Sequence, residues 1–188
     1  MDNLLDKVDK LIVGGGMAYT FLKAMGHTVG TSLVQDDQID MVKRAIAKAK
    51  DKGVELLLPI DHLCGAAFSA DTPALPTDGA DIPDGQMGLD IGPKSLALFV
   101  AAVSSARTLV WNGPMGVFEW PSFQQGTEQV GRAVAACEGY TVVGGGDSVA
   151  AIIQFDLADQ VDHVSTGGGA SLELLEGRTL PGVAALTV

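Results

Sequence analysis

The chain has 188 residues, of which 47% are hydrophobic and 24 are glycine, and its formal net charge is −11. Its length and apolar content predict one compact α/β domain with a substantial core, whereas the acidic balance excludes a surface for nucleic-acid phosphates. Because the chain shows neither a charged and apolar leader nor an apolar stretch of about 18 residues, we expect a cytoplasmic protein without a membrane partner.

The first third of the chain alternates strand-length apolar runs with segments of helical period, as βαβ units do. We predict strands over residues 10–13 and 54–59 and a helix over residues 17–25. A second, amphipathic helix precedes the second strand and ends before Gly53, the residue type favoured after a helix C-terminus. One face of that helix carries Ile39, Val42, Ile46 and Ala49.

The middle of the chain, residues 68–93, interrupts this pattern with prolines, glycines and aspartates. It is predicted to be a surface arm or a short hairpin, and a linker between two domains is the alternative. The pattern then resumes, which favours a single domain with one parallel sheet. The remaining predicted elements are strands over residues 108–111, 140–143 and 163–166 and helices over residues 94–106, 126–137 and 148–153.

A triple glycine follows three of the predicted strands, at residues 14–16, 144–146 and 167–169. In such a turn the glycines let backbone N–H groups approach a ligand closely, and the next helix directs its positive N-terminal end at an anion. Because the carboxyl ends of parallel strands meet at one edge of a sheet, the three turns predict a shared phosphate site.

Two motifs that the chain lacks narrow the type of ligand. The dinucleotide fingerprint needs a third glycine three residues after the second of its pair, where this chain has Tyr19, Val149 and Leu172. A dehydrogenase domain is therefore disfavoured. The absence of any Gly-Lys dipeptide likewise disfavours a Walker-type nucleotidase. A nucleotide or phosphorylated-metabolite site built from several strand ends remains.

Three polar residues near these turns have both a chemical and a structural interpretation. Asp147, at the start of a predicted helix, is either an N-cap or a ligand that holds Mg²⁺ against bound phosphates. Ser148 either caps the same helix or donates a hydrogen bond to a phosphate. Glu119 follows a predicted strand, so it either lies at the same sheet edge or is a solvated surface glutamate.

Five motifs extend the pattern, at residues 14–22, 87–93, 111–119, 143–148 and 165–173. In type and order they resemble the C-terminal, nucleotide-binding half of phosphoglycerate kinase, and the resemblance runs from about residue 2 to residue 186. It implies a three-layer open parallel sheet with helices on both faces (Rossmann-like), with residues 1–188 as the nucleotide-binding domain. It also implies that the family's N-terminal domain and the first strand of its C-terminal domain lie outside this chain.

The resemblance assigns roles around ADP or ATP residue by residue. Residues implied at the adenine base are Gly15, Gly16, Gly88 and Leu89, and Pro114 and Val117 are implied to line the pocket. Residues implied at the phosphates and ribose are Asn112, Glu119, Gly145, Gly146, Asp147 and Ser148. Among these, Glu119 would hydrogen-bond the ribose and Asp147 would hold Mg²⁺. Catalysis is assigned to Gly167, Gly168 and Gly169, which would direct a helix N-terminus at the group in transfer.

The implied reaction is the reversible glycolytic transfer of the 1-phosphate of 1,3-bisphosphoglycerate to MgADP, giving 3-phosphoglycerate and ATP. Phosphoryl transfer relies on alignment and charge stabilisation by helix termini, metal and cationic side chains. The arginines lie outside the glycine turns, at Arg44, Arg107, Arg132 and Arg178. In the family the cationic groups come from the N-terminal domain, which binds the glycerate, and from an upstream lysine turn.

Two hypotheses follow. In the first, the chain is the nucleotide half of a kinase and is active only when joined to the other half. In the second, it is a free-standing, non-catalytic nucleotide-binding module. We favour the first as the identity of the chain, and we expect the isolated chain to be inactive and the full-length enzyme to be monomeric.

Overall fold

The computed structural model describes residues 3–165, 167, 169–170, 173 and 177–186. The helices are α1 Gly15–Ala24, α2 Ile39–Lys52, α3 Pro93–Ser104, α4 Gln125–Ala135 and α5 Gly146–Gln154. The strands are β1 Lys10–Ile12, β2 Glu55–Leu57, β3 His62–Gly65, β4 Leu75–Pro76, β5 Met87–Ile91, β6 Thr108–Trp111, β7 Tyr140–Gly144 and β8 His163–Ser165. Single helical turns occupy Asp36–Gln38, Ala158–Gln160 and Pro181–Ala184.

The α/β class with parallel strands and flanking helices is confirmed. The parallel strands form two hydrogen-bonded ladders, β1–β2 and β6–β7–β8. In the described residues, β1 pairs only with β2, and β6 pairs only with β7. Val110 on β6 is 44% exposed, although an apolar parallel strand is ordinarily covered on both faces.

A third sheet, with strand order β4–β3–β5, is antiparallel. The interpretation of residues 68–93 as a surface arm or hairpin is therefore incomplete, because β5 within that segment is a largely buried strand. Strand β3 pairs with β5, and the register shifts between Leu63 and Cys64. Strand β5 is hard to predict from the sequence, because it contains Gly88 and Asp90 and both residue types are depleted in strands.

The main core lies between the β6–β7–β8 ladder and helices α3 to α5. Phe99, Val143 and Ile152 are fully buried there. Smaller clusters lie between α1, α2 and the β1–β2 ladder. As predicted, α2 ends at Gly53, which adopts φ +70° and so continues the chain in the left-handed region. Across the part of the chain that is described, no helix has the length and apolar character needed to cross a bilayer.

Candidate functional site

A small polar pocket lies where β6 and β7 end, at the carboxyl edge of the three-stranded ladder. Its volume is about 130 Å³, and it is lined by Asn112, Gly113, Gly145, Gly146, Asp147 and Ser148. All of these except Gly113 are residues that the family resemblance assigned to the phosphates and metal. Parallel pairing of Trp111 with Val143 brings the two segments side by side, because both strands end at the same edge.

Helix α5 begins in this pocket. Its N-cap is Gly145, at φ +88°, a conformation that residues with a Cβ rarely adopt. A Cβ on Gly145 would also lie 2.9 Å from Oδ1 of Asn112. The first N–H groups of a helix have no intrahelical partner, so α5 presents free donors and its positive end here. This arrangement suits a phosphate group.

Asp147 lies in the first turn of α5, and its side chain is exposed. Its interpretation as an N-cap is wrong, because Gly145 occupies that position and α5 has no side-chain cap hydrogen bond. Among the residues that the structure describes, the Asp147 carboxylate has no hydrogen-bond or ion-pair partner. It is therefore available to a ligand.

The groups around Asp147 are suited to a metal ion whose other ligands are the phosphates of a substrate and water. No group of three or more His, Cys, Asp or Glu side chains that could hold a metal by itself occurs in the described ranges. Mg²⁺, however, is commonly held by one or two carboxylates, with substrate phosphates and water as its other ligands. One free carboxylate beside a helix N-terminus, with the Asn112 amide in the same pocket, meets that requirement.

Ser148 is fully buried, unlike its neighbour Asp147. Its Oγ accepts a hydrogen bond of 2.5 Å from the backbone N–H of Gly113. This contact ties the end of β6 to the first turn of α5 and so fixes the pocket. The interpretation of Ser148 as a helix cap is wrong for the same reason as for Asp147, whereas donation to a phosphate stays a prediction.

The first glycine turn lies against the segment that follows β6. A Cβ on Gly15 would lie 2.8 Å from the carbonyl oxygen of Pro114, and a Cβ on Gly14 would overlap the sulfur of Met115. Gly16 is exposed, and a Cβ there would lie 3.4 Å from the Leu33 side chain. The turns after β1 and β6 therefore meet, as expected for residues assigned to one adenine site.

Gly88 and Leu89, on β5, contact two other parts of the predicted site. Gly88 packs against the ring of Tyr19 and donates its N–H to Oγ of Ser32, at 2.9 Å. The Leu89 side chain is buried, and its backbone carbonyl accepts the N–H of Val117 at 2.8 Å. This backbone contact joins β5 to the segment that follows β6.

Three residues that sequence reasoning did not single out hold these parts in place. Tyr19 supplies the buried ring behind Gly88, and Ser32 holds the N–H of that glycine. Thr127, on α4, is fully buried, and its Oγ1 accepts the N–H groups of Met115 and Gly116 at 3.0 and 3.2 Å. All three act on backbone groups elsewhere in the sequence, so no local motif could have identified them.

The remaining predicted site residues do not line the pocket at α5. Glu119 is exposed and lies between β6 and α4, and Pro114 and Val117 are half-buried. Gly167 and Gly169 are exposed after β8, at the same sheet edge as the end of β7. Gly168 lies outside the described residues. The assignment of Gly167 to Gly169 to catalysis, like that of Glu119 to the ribose, stays a prediction.

Replacing Gly88 with alanine should destabilise the chain by about 2 kcal/mol, because the new methyl group would overlap the buried Tyr19 ring. Urea unfolding followed by circular dichroism measures this loss. Gly79→Ala is the matched control, since a Cβ there meets nothing within 4 Å. Equal midpoints for the two variants would contradict the close packing of Tyr19 on Gly88.

Known proteins resemble this chain in both sequence and structure. Residues 1–178 match the family described as phosphoglycerate kinase. Phosphoglycerate kinase of Clostridium novyi is 56% identical over 187 residues, which cover 100% of this chain and 47% of that protein. The Clostridium tetani protein of the same name is 55% identical over 186 residues, covering 99% of this chain and 46% of that protein.

Two solved structures carry the same fold. Phosphoglycerate kinase from Coxiella burnetii superimposes with a TM-score of 0.94 at 45% identity, covering 99% of this chain and 48% of that one. The Pyrococcus horikoshii enzyme gives a TM-score of 0.74 at 27% identity, covering 98% and 48%. The chain spans about half the length of the relatives it matches. The glycine turns and the strand-end pocket agree with these matches. The match over residues 1–178 and the identity to the clostridial enzymes show that this chain belongs to the phosphoglycerate kinase family.

Proposed function

We propose that this chain is the nucleotide-binding half of a phosphoglycerate kinase, with residues 1–188 as one domain. The proposed reaction is the reversible transfer of the 1-phosphate of 1,3-bisphosphoglycerate to MgADP, which gives 3-phosphoglycerate and ATP. The observation that carries this proposal is the pocket in which the free N–H groups of α5 and the unpaired carboxylate of Asp147 lie around one small volume. That combination suits a phosphate chain bound together with a cation.

In this proposal, α5 holds the nucleotide phosphates. Gly146 and Ser148 lie in its first turn, where backbone N–H groups lack helical partners, and Asn112 lines the same pocket from the end of β6. Asp147 would hold Mg²⁺, which offsets phosphate charge when it is bound. Fixed N–H donors need no reorganisation as charge develops during transfer, and this is the usual protein contribution to phosphoryl-transfer catalysis.

The adenine base would lie against the segments that follow β1 and β6 and against β5. The contacts of Gly15 with Pro114 and of Leu89 with Val117 support this, since they bring the assigned residues into one wall. Glu119, exposed two residues beyond Val117, would hydrogen-bond the ribose. Gly167 to Gly169 would direct N–H groups at the transferring phosphoryl group.

The bisphosphoglycerate is proposed to bind to the other half of the enzyme. No Lys or Arg lines the described pocket. Arg132 is paired with Glu128, and Arg178 with Glu173. Because the acyl phosphate and the carboxylate of the product both need positive partners, the proposal assigns those partners to residues outside this chain. The free thiols Cys64 and Cys137 suit the reducing cytoplasm, which we propose as its location.

The purified chain alone is expected to bind MgADP weakly, because the upstream lysine turn that the resemblance implies is not among its residues. It is expected to show no turnover, because bisphosphoglycerate is proposed to bind outside it. Titration calorimetry with millimolar ADP and Mg²⁺ tests the binding, and a coupled assay of ATP formation tests the activity. Addition of a separately purified N-terminal half from a relative should restore activity. Lack of any heat with millimolar nucleotide would refute the nucleotide site. Rapid turnover by the chain alone would refute the proposal that bisphosphoglycerate binds outside it.

A further inference from the structure

Asp90, on β5, is a buried carboxylate that neither the sequence motifs nor the proposed reaction explains. Its side chain has no solvent exposure. Oδ2 accepts the backbone N–H of Gly126 at 2.7 Å, and Oδ1 accepts the N–H of Ile91 at 2.8 Å. No Lys, Arg or His in the described ranges forms an ion pair with it. Backbone dipoles alone therefore compensate for its charge.

Two glycines enclose this carboxylate. A Cβ on Gly116 or on Gly126 would overlap Oδ1 of Asp90, and a Cβ on Gly116 would also approach the carbonyl of Leu89 to 2.6 Å. Gly116 belongs to the segment that follows β6, whereas Gly126 lies in the first turn of α4. The carboxylate thus fills a space at which β5, α4 and the segment of residues 113–118 all meet.

The same three parts are connected by further hydrogen bonds. Next to Gly126, the hydroxyl of Thr127 accepts the N–H groups of Met115 and Gly116. Next to Asp90, the carbonyl of Leu89 accepts the N–H of Val117. The position of residues 115–117 therefore depends on how β5 and the first turn of α4 are held relative to each other, and the bond from Gly126 to Asp90 holds them.

We propose that Asp90 is a positioning residue of the nucleotide site, which holds the first turn of α4 against β5 and thereby fixes residues 113–118 in the shape that binds nucleotide. This inference rests on the proposed function, because that segment carries Pro114 and Val117 of the assigned adenine wall. Asp90 itself is not expected to touch the nucleotide.

The chemistry of the side chain explains why a carboxylate stands here. Two N–H groups converge on it, and an ionised carboxylate is the side chain that offers only acceptors. An asparagine would turn its NH₂ group toward one of the two donors. Burial raises the pKa of Asp90 to about 7, so the ionised form weakens the fold.

Asp61 provides a matched control, because it repeats the arrangement beside another helix. It is buried, accepts the N–H groups of Lys94 and Ser95 at 2.9 and 2.7 Å in the first turn of α3, and packs on Gly92. It makes no contact with residues 113–118 among the bonds described. Asp61→Asn should therefore weaken the buried N-terminus of α3 without altering residues 113–118.

The experiment compares Asp90→Asn, Asp61→Asn and the unchanged chain by hydrogen exchange and by ADP titration with Mg²⁺, at a temperature where all three are folded. We expect Asp90→Asn to speed amide exchange at residues 115–117 by at least about tenfold and to raise the dissociation constant for ADP by about tenfold, the effect of one lost hydrogen bond to a charged group. Asp61→Asn should leave both quantities within about twofold.

Unchanged exchange at residues 115–117 in Asp90→Asn, or an equal acceleration in Asp61→Asn, would overturn the inference. Faster exchange without weaker binding would also overturn it, because the segment would then not determine affinity. Failure of the unchanged chain to bind ADP would instead refute the proposed function, and the role of Asp90 in it. The exchange measurement separates these cases, since it needs no nucleotide.

Discussion

Replacing Asp147 with alanine is expected to remove the effect of Mg²⁺ on ADP binding. The unchanged chain should bind ADP more tightly with Mg²⁺ than with a chelator, because the Asp147 carboxylate would hold the cation on the phosphates. In Asp147→Ala this gain should vanish, a loss of about tenfold to a hundredfold in affinity for MgADP, as for a charged interaction of about 1.5–3 kcal/mol. Affinity for metal-free ADP should stay equal or rise slightly, since a negative charge is removed.

The measurement is calorimetric titration of ADP in the presence of Mg²⁺ and in the presence of EDTA. Asp40→Ala is the matched control, because Asp40 is also exposed in the first turn of a helix, α2, far along the chain from the pocket. Both variants should lose only about 0.3–1 kcal/mol of stability, from the interaction of an acid with the helix dipole. An equal Mg²⁺ effect in Asp147→Ala and in the unchanged chain would refute the metal assignment.

The unfolding free energy should fall between about pH 5 and pH 8, and Asp90 should account for about 3 kcal/mol of the change. Burial raises the pKa of Asp90 to about 7 in the folded chain, against the ordinary 3.8 of an aspartate. The folded state therefore binds the proton more tightly than the unfolded state does. The stabilisation from protonated Asp90 is complete below its pKa in the unfolded chain. It is lost as the pH rises through its pKa in the folded chain.

Tyr19 and Cys64, two buried titratable groups near Asp90, do not titrate in this range. Burial raises the pKa of Tyr19, on α1, above its usual value and that of Cys64, on β3, to about 11, so both stay neutral. Burial lowers the pKa of His62, whose ring packs on Tyr19. On α4, Glu128 is paired with Arg132.

Urea unfolding of the unchanged chain and of Asp90→Asn, each at about pH 5 and about pH 8, isolates the contribution of Asp90. The unchanged chain should lose about 3 kcal/mol more than the variant between the two conditions. Every other titratable group is the same in both proteins, so its effect cancels in the comparison. An identical loss in both would show that Asp90 keeps an ordinary pKa despite its burial.

The sequence predicted those elements whose signals are local. Helix α2 has an apolar face and is followed by Gly53, and β6 is a short run in which three of the four residues are β-branched or aromatic, so both are signalled locally. Strand β5 could not be predicted, because its glycine and aspartate oppose strand formation. Their presence is explained only by the Tyr19 ring that requires Gly88 and by the N–H groups that converge on Asp90. Here tertiary contacts override local preference.

Some residues of the candidate site could likewise be predicted from local sequence signals, and others could not. Residues 145–148 were predictable, because glycine turns after parallel strands must meet at one sheet edge, whereas Asn112 was implied only by the family resemblance; all of them line one pocket. The capping role for Asp147 was wrong because a glycine with positive φ can begin the helix two residues earlier. Thr127 and Asp90 were not found, since they act by binding the backbone of another segment, and such contacts leave no periodic or motif-like trace in the sequence.

The two parallel ladders are not paired with each other in the described backbone. Side-chain packing connects them instead: Leu57 of β2 and Ile12 of β1 pack against the main core. Strand β5 adds a second link, because Gly88 packs on Tyr19 of α1 and the carbonyl of Leu89 accepts the N–H of Val117. The cooperativity of unfolding therefore relies on these links rather than on one continuous sheet. A local opening of β5 would loosen the connection, so the strand that shapes the pocket wall also governs how far the chain behaves as a single thermodynamic unit.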